Sequence, residues 1–235
     1  MNNLIDLHTH TVLSTHGFSS LTENIDEALN KGLKYYGVSE HQFDDVGVGA
    51  HPFAFHNLRI VPKDINGMKF LRGCEFNILD NGEIDTSKVS HKNLDYGIAS
   101  IHSYKYKDKG IEPNTKAYLN ALNNDFITIV GHADDGSYPC DFDQIVKKTK
   151  ELHKLIEINN TSLKPTTNRV NSKENMIKLI EACKKYNQPV IINSDAHICY
   201  DVGSYELAYD LLKECKFDEK LILNFNEELI KEYFY

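Results

Sequence analysis

The sequence predicts an α/β fold in which parallel strands alternate with helices, closed as a barrel or open as a doubly wound sheet. Seven short apolar runs, each bounded by turn residues, have the length and composition of buried strands. Segments with helical spacing separate most of these runs, and this alternation favours parallel pairing through right-handed crossovers. The predicted strands span residues 4–7, 36–39, 70–73, 96–100, 127–130, 155–158 and 190–192.

The predicted helices are marked by apolar stripes and by residues that favour helix ends. The first follows Ser20, which forms a capping-box pattern with Glu23, and it closes at Gly32. Asn171 and Ser172 are a natural start for a later helix. Further helices are predicted over residues 114–123, 143–153, 173–186 and 205–213.

Two segments interrupt this alternation. Residues 42–69 contain glycines and prolines with little periodicity, which predicts a long loop over one end of the sheet. Asp80-Asn81-Gly82 lies between short apolar runs and predicts a hairpin. Because the sequence has no internal repeat and no shift in composition that would mark a linker, we expect one domain over residues 1–235.

The composition limits the classes of partner. The 235 residues carry 26 Lys and Arg against 34 Asp and Glu, a net charge of −8, which disfavours stable binding to nucleic acid. An apolar run long enough to span a membrane is absent from the sequence. The 5 cysteines are widely spaced and suggest neither a disulfide framework nor a zinc ribbon. Without a recognisable secretory signal, the expected compartment is the cytoplasm.

The unusual feature is 11 histidines in an acidic chain. Most of them, together with two acidic residues, follow the predicted strands at their carboxyl ends. Such ends meet at one rim of a parallel barrel or sheet, where active sites form. The residues that share this position are His8, His10, His16, His41, Glu75, His102, His132, Asp195 and His197.

This set predicts a site with more than one metal ion. The spacing of His8 and His10 puts both side chains on one face of an extended strand, and Asp195 and His197 repeat that spacing. Seven imidazoles and two carboxylates are too many for a single tetrahedral zinc ion, so two or three ions are needed to use them. Glu75 is the favoured bridge because a carboxylate has two oxygens to share. Taken singly, each residue also fits a structural role, such as a core histidine or a helix cap.

In this order, the motifs resemble those of the PHP (polymerase and histidinol phosphatase) superfamily. The chain is most similar to its single-domain bacterial phosphatases of the YcdX type, from Asp6 to about Leu223. The motifs are Asp6-Leu7-His8-Thr9-His10-Thr11, Ser14-Thr15-His16-Gly17, Val38-Ser39-Glu40-His41, Gly73-Cys74-Glu75, Ile101-His102, Gly131-His132 and Ser194-Asp195-Ala196-His197.

The resemblance implies a distorted seven-stranded β/α barrel, similar to a TIM barrel, and three divalent metal ions. Zinc is the usual assignment, with manganese or iron in some members. One ion would bind His8, His10, Glu75 and Asp195; a second would bind His16, His41 and His197; the third would bind Glu75, His102 and His132. Related phosphatases often have a proline after the last of these histidines, where this chain has Ala133-Asp134-Asp135.

The chemistry expected of such a site is hydrolysis of a phosphate monoester by metal-bound hydroxide. The catalytic residues, acting through the bound metal, would be His8, His10, Glu75 and Asp195. Arg59 and Lys105 are candidates to bind the phosphate of a small phosphorylated metabolite.

Asp6, two residues before His8, either orients its ring or accepts hydrogen bonds from the backbone. A homotrimer is also implied, since relatives of this type can form one.

Other functions remain open at this stage. Histidinol phosphate is one candidate substrate because the superfamily includes such phosphatases. A PHP-type phosphodiesterase or exonuclease would be expected to have a basic groove, and a binuclear amidohydrolase would want a bridging lysine near the middle of the chain. A metal-binding module without turnover is the alternative from a different class, and degenerate members of that kind would be expected to lose ligands.

Overall fold

The computed structural model describes residues 2–43, 47–86, 89 and 91–235. Its sheet contains seven parallel strands in a nearly closed barrel, with neighbours in the order of the chain. One further short strand pairs antiparallel with the first two residues of the longest strand. The strands are β1 (Ile5–Asp6), β2 (Tyr35–Val38), β3 (Asp64–Ile65), β4 (Met68–Asn77), β5 (Tyr96–Ser100), β6 (Ile129–Val130), β7 (Leu155–Asn159) and β8 (Val190–Asn193).

Seven α-helices accompany these strands in the described part of the chain. The five helices expected from the sequence are present with ends shifted by a few residues, and α2 and α7 were not predicted. None of the described helices has both the length and the apolar composition that a membrane span requires. The helices are α1 (Leu21–Asn30), α2 (Pro52–Asn57), α3 (Ile111–Ala121), α4 (Phe142–Glu151), α5 (Ser172–Tyr186), α6 (Glu206–Glu214) and α7 (Glu227–Phe234).

The starts of α1 and α5 differ in how they are capped. At α1 the capping box is present: the amide of Glu23 donates to the Ser20 hydroxyl at 3.3 Å, and the amide of Ser20 donates to the Glu23 carboxylate at 2.7 Å. Asn171 does precede α5, but its backbone is left-handed, with φ of 50°, and its side chain makes no capping hydrogen bond. An N-cap residue normally has extended backbone angles, which direct its side chain back to the first turn.

The prediction of a long loop over residues 42–69 was wrong for much of its length. This segment contains α2, a 3₁₀ turn at Leu58–Ile60 and β3, while residues 44–46 lie outside the described residues. Phe55 of α2 is buried in the core. Asn66 and Gly67 have φ of 52° and 87° and turn β3 back into β4. Asn-Gly is the dipeptide that a turn with two positive φ values favours, so the signal was present in the sequence.

β1 and β8 meet at a seam that ends in an isolated bridge between Thr9 and Ala196. Below this bridge, the buried side chain of Asn224 connects the two strands. The side-chain Nδ2 of Asn224 donates to the carbonyls of Ile5 at 3.0 Å and Ile192 at 2.8 Å. Its side-chain oxygen accepts from the amide of Ile192 at 2.7 Å. Asn224 therefore bridges strands that do not share a regular ladder at this height.

The barrel interior changes from apolar to polar along the strands. Leu71 on β4 and Leu155 on β7 belong to an apolar cluster that also contains Ile98. Alternate residues of a strand share a face, so Glu75 lies on the same face as Leu71, and Glu157 on the same face as Leu155. The sequence pattern predicts that Glu75 follows its strand, whereas β4 continues through it to Asn77. Buried carboxylates therefore project from the strands themselves above an apolar layer.

Candidate metal centre

Glu75 lies at the centre of the histidine cluster and is fully buried. One carboxylate oxygen, Oε1, faces three imidazoles, and the other, Oε2, faces two. The distances from Oε1 are 3.3 Å to His8 Nε2, 3.3 Å to His102 Nε2 and 2.9 Å to His132 Nε2, and those from Oε2 are 2.8 Å to His41 Nδ1 and 3.6 Å to His10 Nε2.

Asp195 is the second carboxylate of the cluster. Its Oδ1 lies 3.5 Å from His8 Nε2, 3.4 Å from His10 Nε2 and 3.6 Å from His197 Nδ1. The backbone at Asp195 is left-handed, with φ of 54°, a conformation that aspartate tolerates better than most residues. This turn directly after β8 directs the carboxylate toward the histidines.

His16 and His197 form the outer edge of the cluster. Their Nε2 atoms are 2.9 Å apart, and the ring of His16 stacks 4.9 Å from that of His41. The side chain of His197 is 29% exposed, whereas His8 and His10 are fully buried. The structure thus brings together all nine residues that the sequence analysis proposed as ligands.

The donor atoms suit divalent metal ions. Three groups, each with ligand atoms within 4.8 Å of one another, are His8 with His10 and Glu75, His10 with His41 and His197, and His41 with Glu75 and His102. Four buried atoms of these groups make no hydrogen bond of acceptable geometry among the described residues, although two of them, His41 Nδ1 and Glu75 Oε2, lie 2.8 Å apart: His8 Nε2, His10 Nε2, His41 Nδ1 and Glu75 Oε2. Buried polar atoms without partners are costly, and a shared cation would satisfy them.

The electrostatics favour cation binding at the two carboxylates. Burial alone would raise the pKa of Glu75, but positive charge on His8 and His102 holds that pKa well below its usual value. Burial also opposes ionisation of Asp195, whose pKa is nevertheless well below normal because of His8 and Arg169. Both carboxylates are therefore anionic, the form that binds metal.

Three of the imidazoles, those of His8, His10 and His16, have shifted pKa values, and the shifts run in opposite directions. Burial and the neighbouring His41 lower the pKa of His10, and the same two causes lower the pKa of His16 to about 4. These rings are neutral near pH 7, as metal ligation requires. His8 differs: burial lowers its pKa, but Glu157 and Glu75 raise it well above its usual value. The surrounding carboxylates therefore stabilise positive charge at His8, whether a proton or a metal ion supplies it.

A cavity of about 200 Å³ opens over the cluster. Seven of its lining residues belong to the predicted ligand set, and Tyr104 and Arg169 complete the wall. The Arg169 guanidinium donates from Nη2 to Asp195 Oδ2 at 2.7 Å and from Nη1 to Asn159 Oδ1 at 3.0 Å. The cavity is therefore lined both by candidate metal ligands and by the positively charged guanidinium of Arg169.

The predicted phosphate-binding residues do not line this cavity. Arg59 is exposed on the 3₁₀ turn Leu58–Ile60, where its carbonyl accepts from Arg72 at 3.4 Å. Lys105 is half-buried, and its amide donates to the His102 carbonyl at 3.0 Å. Arg169 is the cation that the structure brings to the cluster instead.

The family model for the PHP domain matches residues 6–167. This chain belongs to the PHP-domain family. A probable phosphatase of Clostridium acetobutylicum is 43% identical over 234 residues, which cover 99% of this chain and 95% of the relative. A probable phosphatase of Clostridium botulinum is 38% identical with the same coverage.

The fold of this PHP domain is shared with a solved structure. That structure is histidinol phosphate phosphatase from Lactococcus lactis, complexed with Zn, L-histidinol and phosphate. The two chains superpose with a TM-score of 0.62 at 18% identity, over 92% of this chain and 95% of the other. The family and the barrel fold that the motifs implied are both confirmed.

One departure from the PHP motifs lies directly after His132. Asp134 is fully buried, and burial raises the pKa of its carboxyl to about 6. Its backbone carbonyl accepts from the Asn175 side chain at 3.1 Å, which ties this loop to α5. The loop after His132 is therefore anchored to α5 by a hydrogen bond to its backbone.

Glu157 is a further residue of the PHP site, and no motif in the sequence indicated it. The His8 Nδ1 atom donates to Glu157 Oε1 at 2.6 Å, and the amide of His132 donates to Glu157 Oε2 at 2.8 Å. Asp6, the earlier candidate to orient His8, accepts instead from backbone amides, including that of Gly203 at 2.7 Å. The signal for Glu157 was a charged residue within an apolar strand, since such a group needs a buried partner.

Arg169 was missed for a different reason. It lies in the loop between β7 and α5, where no periodicity or motif distinguishes it from a solvated charge. Its contact with Asp195 joins residues 26 positions apart and depends on how two loops meet at the barrel rim.

Proposed function

We propose that this protein is a metal-dependent phosphatase that hydrolyses phosphate monoesters of small metabolites. The observation that carries the proposal is the cluster of imidazoles and carboxylates around Glu75 and Asp195, open to a cavity that Arg169 also lines. The chain has a net charge of −8, so an anionic substrate needs local positive charge, which bound metal ions and the Arg169 guanidinium would supply. The probable phosphatases of the clostridia, similar along almost their whole length, support the same reaction class.

The donor atoms suit three divalent ions, of which zinc is the first candidate and manganese or iron the alternatives. When bound, such ions activate water and neutralise charge on phosphate oxygens. We assign the nine residues as the family resemblance divides them: His8, His10, Glu75 and Asp195; His16, His41 and His197; and Glu75, His102 and His132.

The roles proposed for the surrounding residues follow from their contacts. Glu157 accepts the Nδ1 proton of His8, which leaves Nε2 free to bind metal. The Arg169 guanidinium is oriented by Asp195 and Asn159 at the edge of the cavity, where it would bind and orient a phosphate. His8, His10 and Glu75 are fully buried, which keeps bulk water away from these three ligands.

The size and charge of the site favour a small substrate. A cavity of about 200 Å³ suits a phosphate group and a limited part of its alcohol. A polynucleotide would also need a basic groove, and the chain carries a net charge of −8. Histidinol phosphate belongs in any substrate panel because the Lactococcus lactis structure contains L-histidinol and phosphate.

The first test combines elemental analysis with hydrolysis of p-nitrophenyl phosphate. We expect bound zinc, manganese or iron in the purified protein, loss of activity after chelation, and recovery when metal is restored. Activity that survives complete metal removal would contradict the metal-dependent mechanism. A protein that holds its metals but hydrolyses none of a panel of phosphorylated metabolites would instead be a metal-binding module.

The second test uses variants. We expect His10→Ala and Asp195→Ala to abolish turnover and to lower metal content while the fold persists, because each removes a ligand that contacts several others. His153→Ala is the matched control, since this histidine is 57% exposed and lies outside the cluster. Unchanged rates in both ligand variants would refute the site. Light scattering on the same samples tests the trimer that the resemblance implies.

A further inference from the structure

The two ring nitrogens of His10 have different surroundings. Nε2 lies beside the carboxylates of the metal centre, 3.4 Å from Asp195 Oδ1 and 3.6 Å from Glu75 Oε2. Nδ1 lies 3.3 Å from the hydroxyl of Ser14, a fully buried residue. A neutral imidazole carries one proton, on either nitrogen, and binds metal through the other. Whether Ser14 accepts or donates a proton here therefore decides which nitrogen of His10 is available to a metal ion.

The Ser14 hydroxyl has three polar neighbours but only one proton to donate. It donates to Glu40 Oε2 at 2.5 Å and accepts from the backbone amide of His41 at 3.0 Å. Because its proton is directed to Glu40, the hydroxyl can only accept from His10 Nδ1. The proton of the His10 ring is therefore on Nδ1, and Nε2 carries the lone pair that a metal ion needs.

Thr11 supplies further donors to the buried Glu40 carboxylate. The Thr11 amide donates to both carboxylate oxygens, at 3.1 Å and 3.2 Å. The Thr11 hydroxyl accepts from the amide of Leu13 at 3.1 Å and donates its own proton to Glu40 Oε1 at 2.5 Å. Each of these contacts, like that from Ser14, presents a donor to Glu40. This arrangement suits an ionised carboxylate, which can only accept.

We propose that Glu40 and Ser14 are positioning residues, which hold His10 in the tautomer that binds metal through Nε2. Glu40 acts on His10 through the Ser14 hydroxyl. In that tautomer, Nε2 and the carboxylate oxygens of Asp195 and Glu75 are all available to one cation. The inference rests on the proposed function only in taking His10 as a metal ligand.

The first test is a double-mutant cycle measured by zinc affinity, through competition with a chromophoric chelator. In Glu40→Gln, the Thr11 donors hold the oxygen of the new amide, and its NH₂ group donates to Ser14. The Ser14 proton is then directed to His10 Nδ1, which leaves the ring proton on Nε2. We expect zinc affinity to fall by about 10–100-fold, and Ser14→Ala should cause a loss of the same order. Because Glu40 acts through Ser14, the double variant should bind zinc no more weakly than Ser14→Ala alone.

The matched control for this cycle is Ser172→Ala. Ser172, at the start of α5, is also a buried serine, and its hydroxyl makes no hydrogen bond among the described residues. Its replacement should leave zinc affinity unchanged. Additive losses in the double variant would overturn the inference, because Glu40 and Ser14 would then act independently. Unchanged affinity in Glu40→Gln, or equal losses in Ser14→Ala and Ser172→Ala, would do the same.

A second test reads the tautomer directly and leaves Glu40 and Ser14 unchanged. Nitrogen-15 NMR of the histidine rings shows which nitrogen of each ring carries the proton, and the His10 signals are assigned by their loss in His10→Gln. We expect the His10 proton on Nδ1 both in the zinc-loaded protein and after chelation. A proton on Nε2 after chelation would overturn the inference. Zinc binding with the expected tautomer, but without hydrolysis of any phosphate ester, would contradict the proposed reaction and leave the positioning role intact.

Discussion

The His8 imidazole donates from Nδ1 to Glu157 Oε1 across 2.6 Å, within the fully buried interior of the barrel. Glu157 also accepts from the amide of His132 at 2.8 Å. One carboxylate therefore positions both a ring and a backbone segment that carry proposed metal ligands. Because Nδ1 holds the proton, Nε2 is the atom presented toward Glu75 and Asp195.

Replacing Glu157 should weaken metal binding. Glu157→Gln preserves the volume but removes the anion that orients His8, and we expect metal affinity to fall by about 10–100-fold. Competition with a chromophoric chelator measures the affinity directly. Glu151→Gln, at the exposed end of α4, is the control. Equal affinities in the two variants would mean that Glu157 only fills space.

Arg169 and Arg59 are alternative candidates for binding the phosphate, the first from the structure and the second from the sequence. Arg169→Lys keeps the charge but loses the planar fork that contacts Asp195 and Asn159. We expect kcat/KM for p-nitrophenyl phosphate to fall by at least about tenfold, mainly through KM, because charge-assisted bonds to phosphate are lost. Arg59→Lys should leave both constants unchanged. The opposite pattern would restore the candidate that the sequence favoured.

Asn224 should contribute strongly to stability through the seam between β1 and β8. Asn224→Ala removes three hydrogen bonds to Ile5 and Ile192 and leaves buried backbone groups without partners. We expect the free energy of unfolding to fall by about 2–4 kcal/mol, measured by urea denaturation. Asn226→Ala, which removes the cap of α7, should cost only about 1 kcal/mol. Similar losses in both would argue against a special role for the seam.

The capping box of α1 gives a prediction remote from the metal centre. Ser20→Ala removes the acceptor for the Glu23 amide, and we expect a loss of about 1 kcal/mol in the free energy of unfolding. Thr22→Ala, exposed in the same turn, should change stability by less than about 0.5 kcal/mol. Thermal unfolding distinguishes the two. A larger effect of Thr22→Ala would show that helix propensity outweighs the cap.

Local patterns in the sequence were sufficient for the alternation of strands and helices and for the proposed ligand set. The spacing of His8 and His10 and the position of Asp195 after a strand both predicted convergence at one rim, and the structure brings both rings within 3.6 Å of the carboxylates of Asp195 and Glu75. Such predictions succeed because strand periodicity is a local property, and because the alternation of strands with helices already favours parallel pairing.

Other features depend on contacts between residues far apart in the chain. Glu157 pairs with His8 across 149 positions, and Asn224 reaches Ile5 across 219. Glu157 on β7 and His8, which follows β1, approach each other only because the barrel closes. The contact between Asn224 and Ile5 contributes to that closure. Asn171 illustrates the same limit locally, since loop packing sets the backbone angle that prevents it from capping α5.

The sequence by itself determined which residue types gather at the carboxyl ends of the strands, because that depends on period and direction alone. The tertiary structure decided which atoms face one another: which oxygen of Glu75 meets which ring, which carboxylate orients His8, and which arginine lines the cavity. These choices follow from distances across the barrel, and no pattern along a single strand contains them.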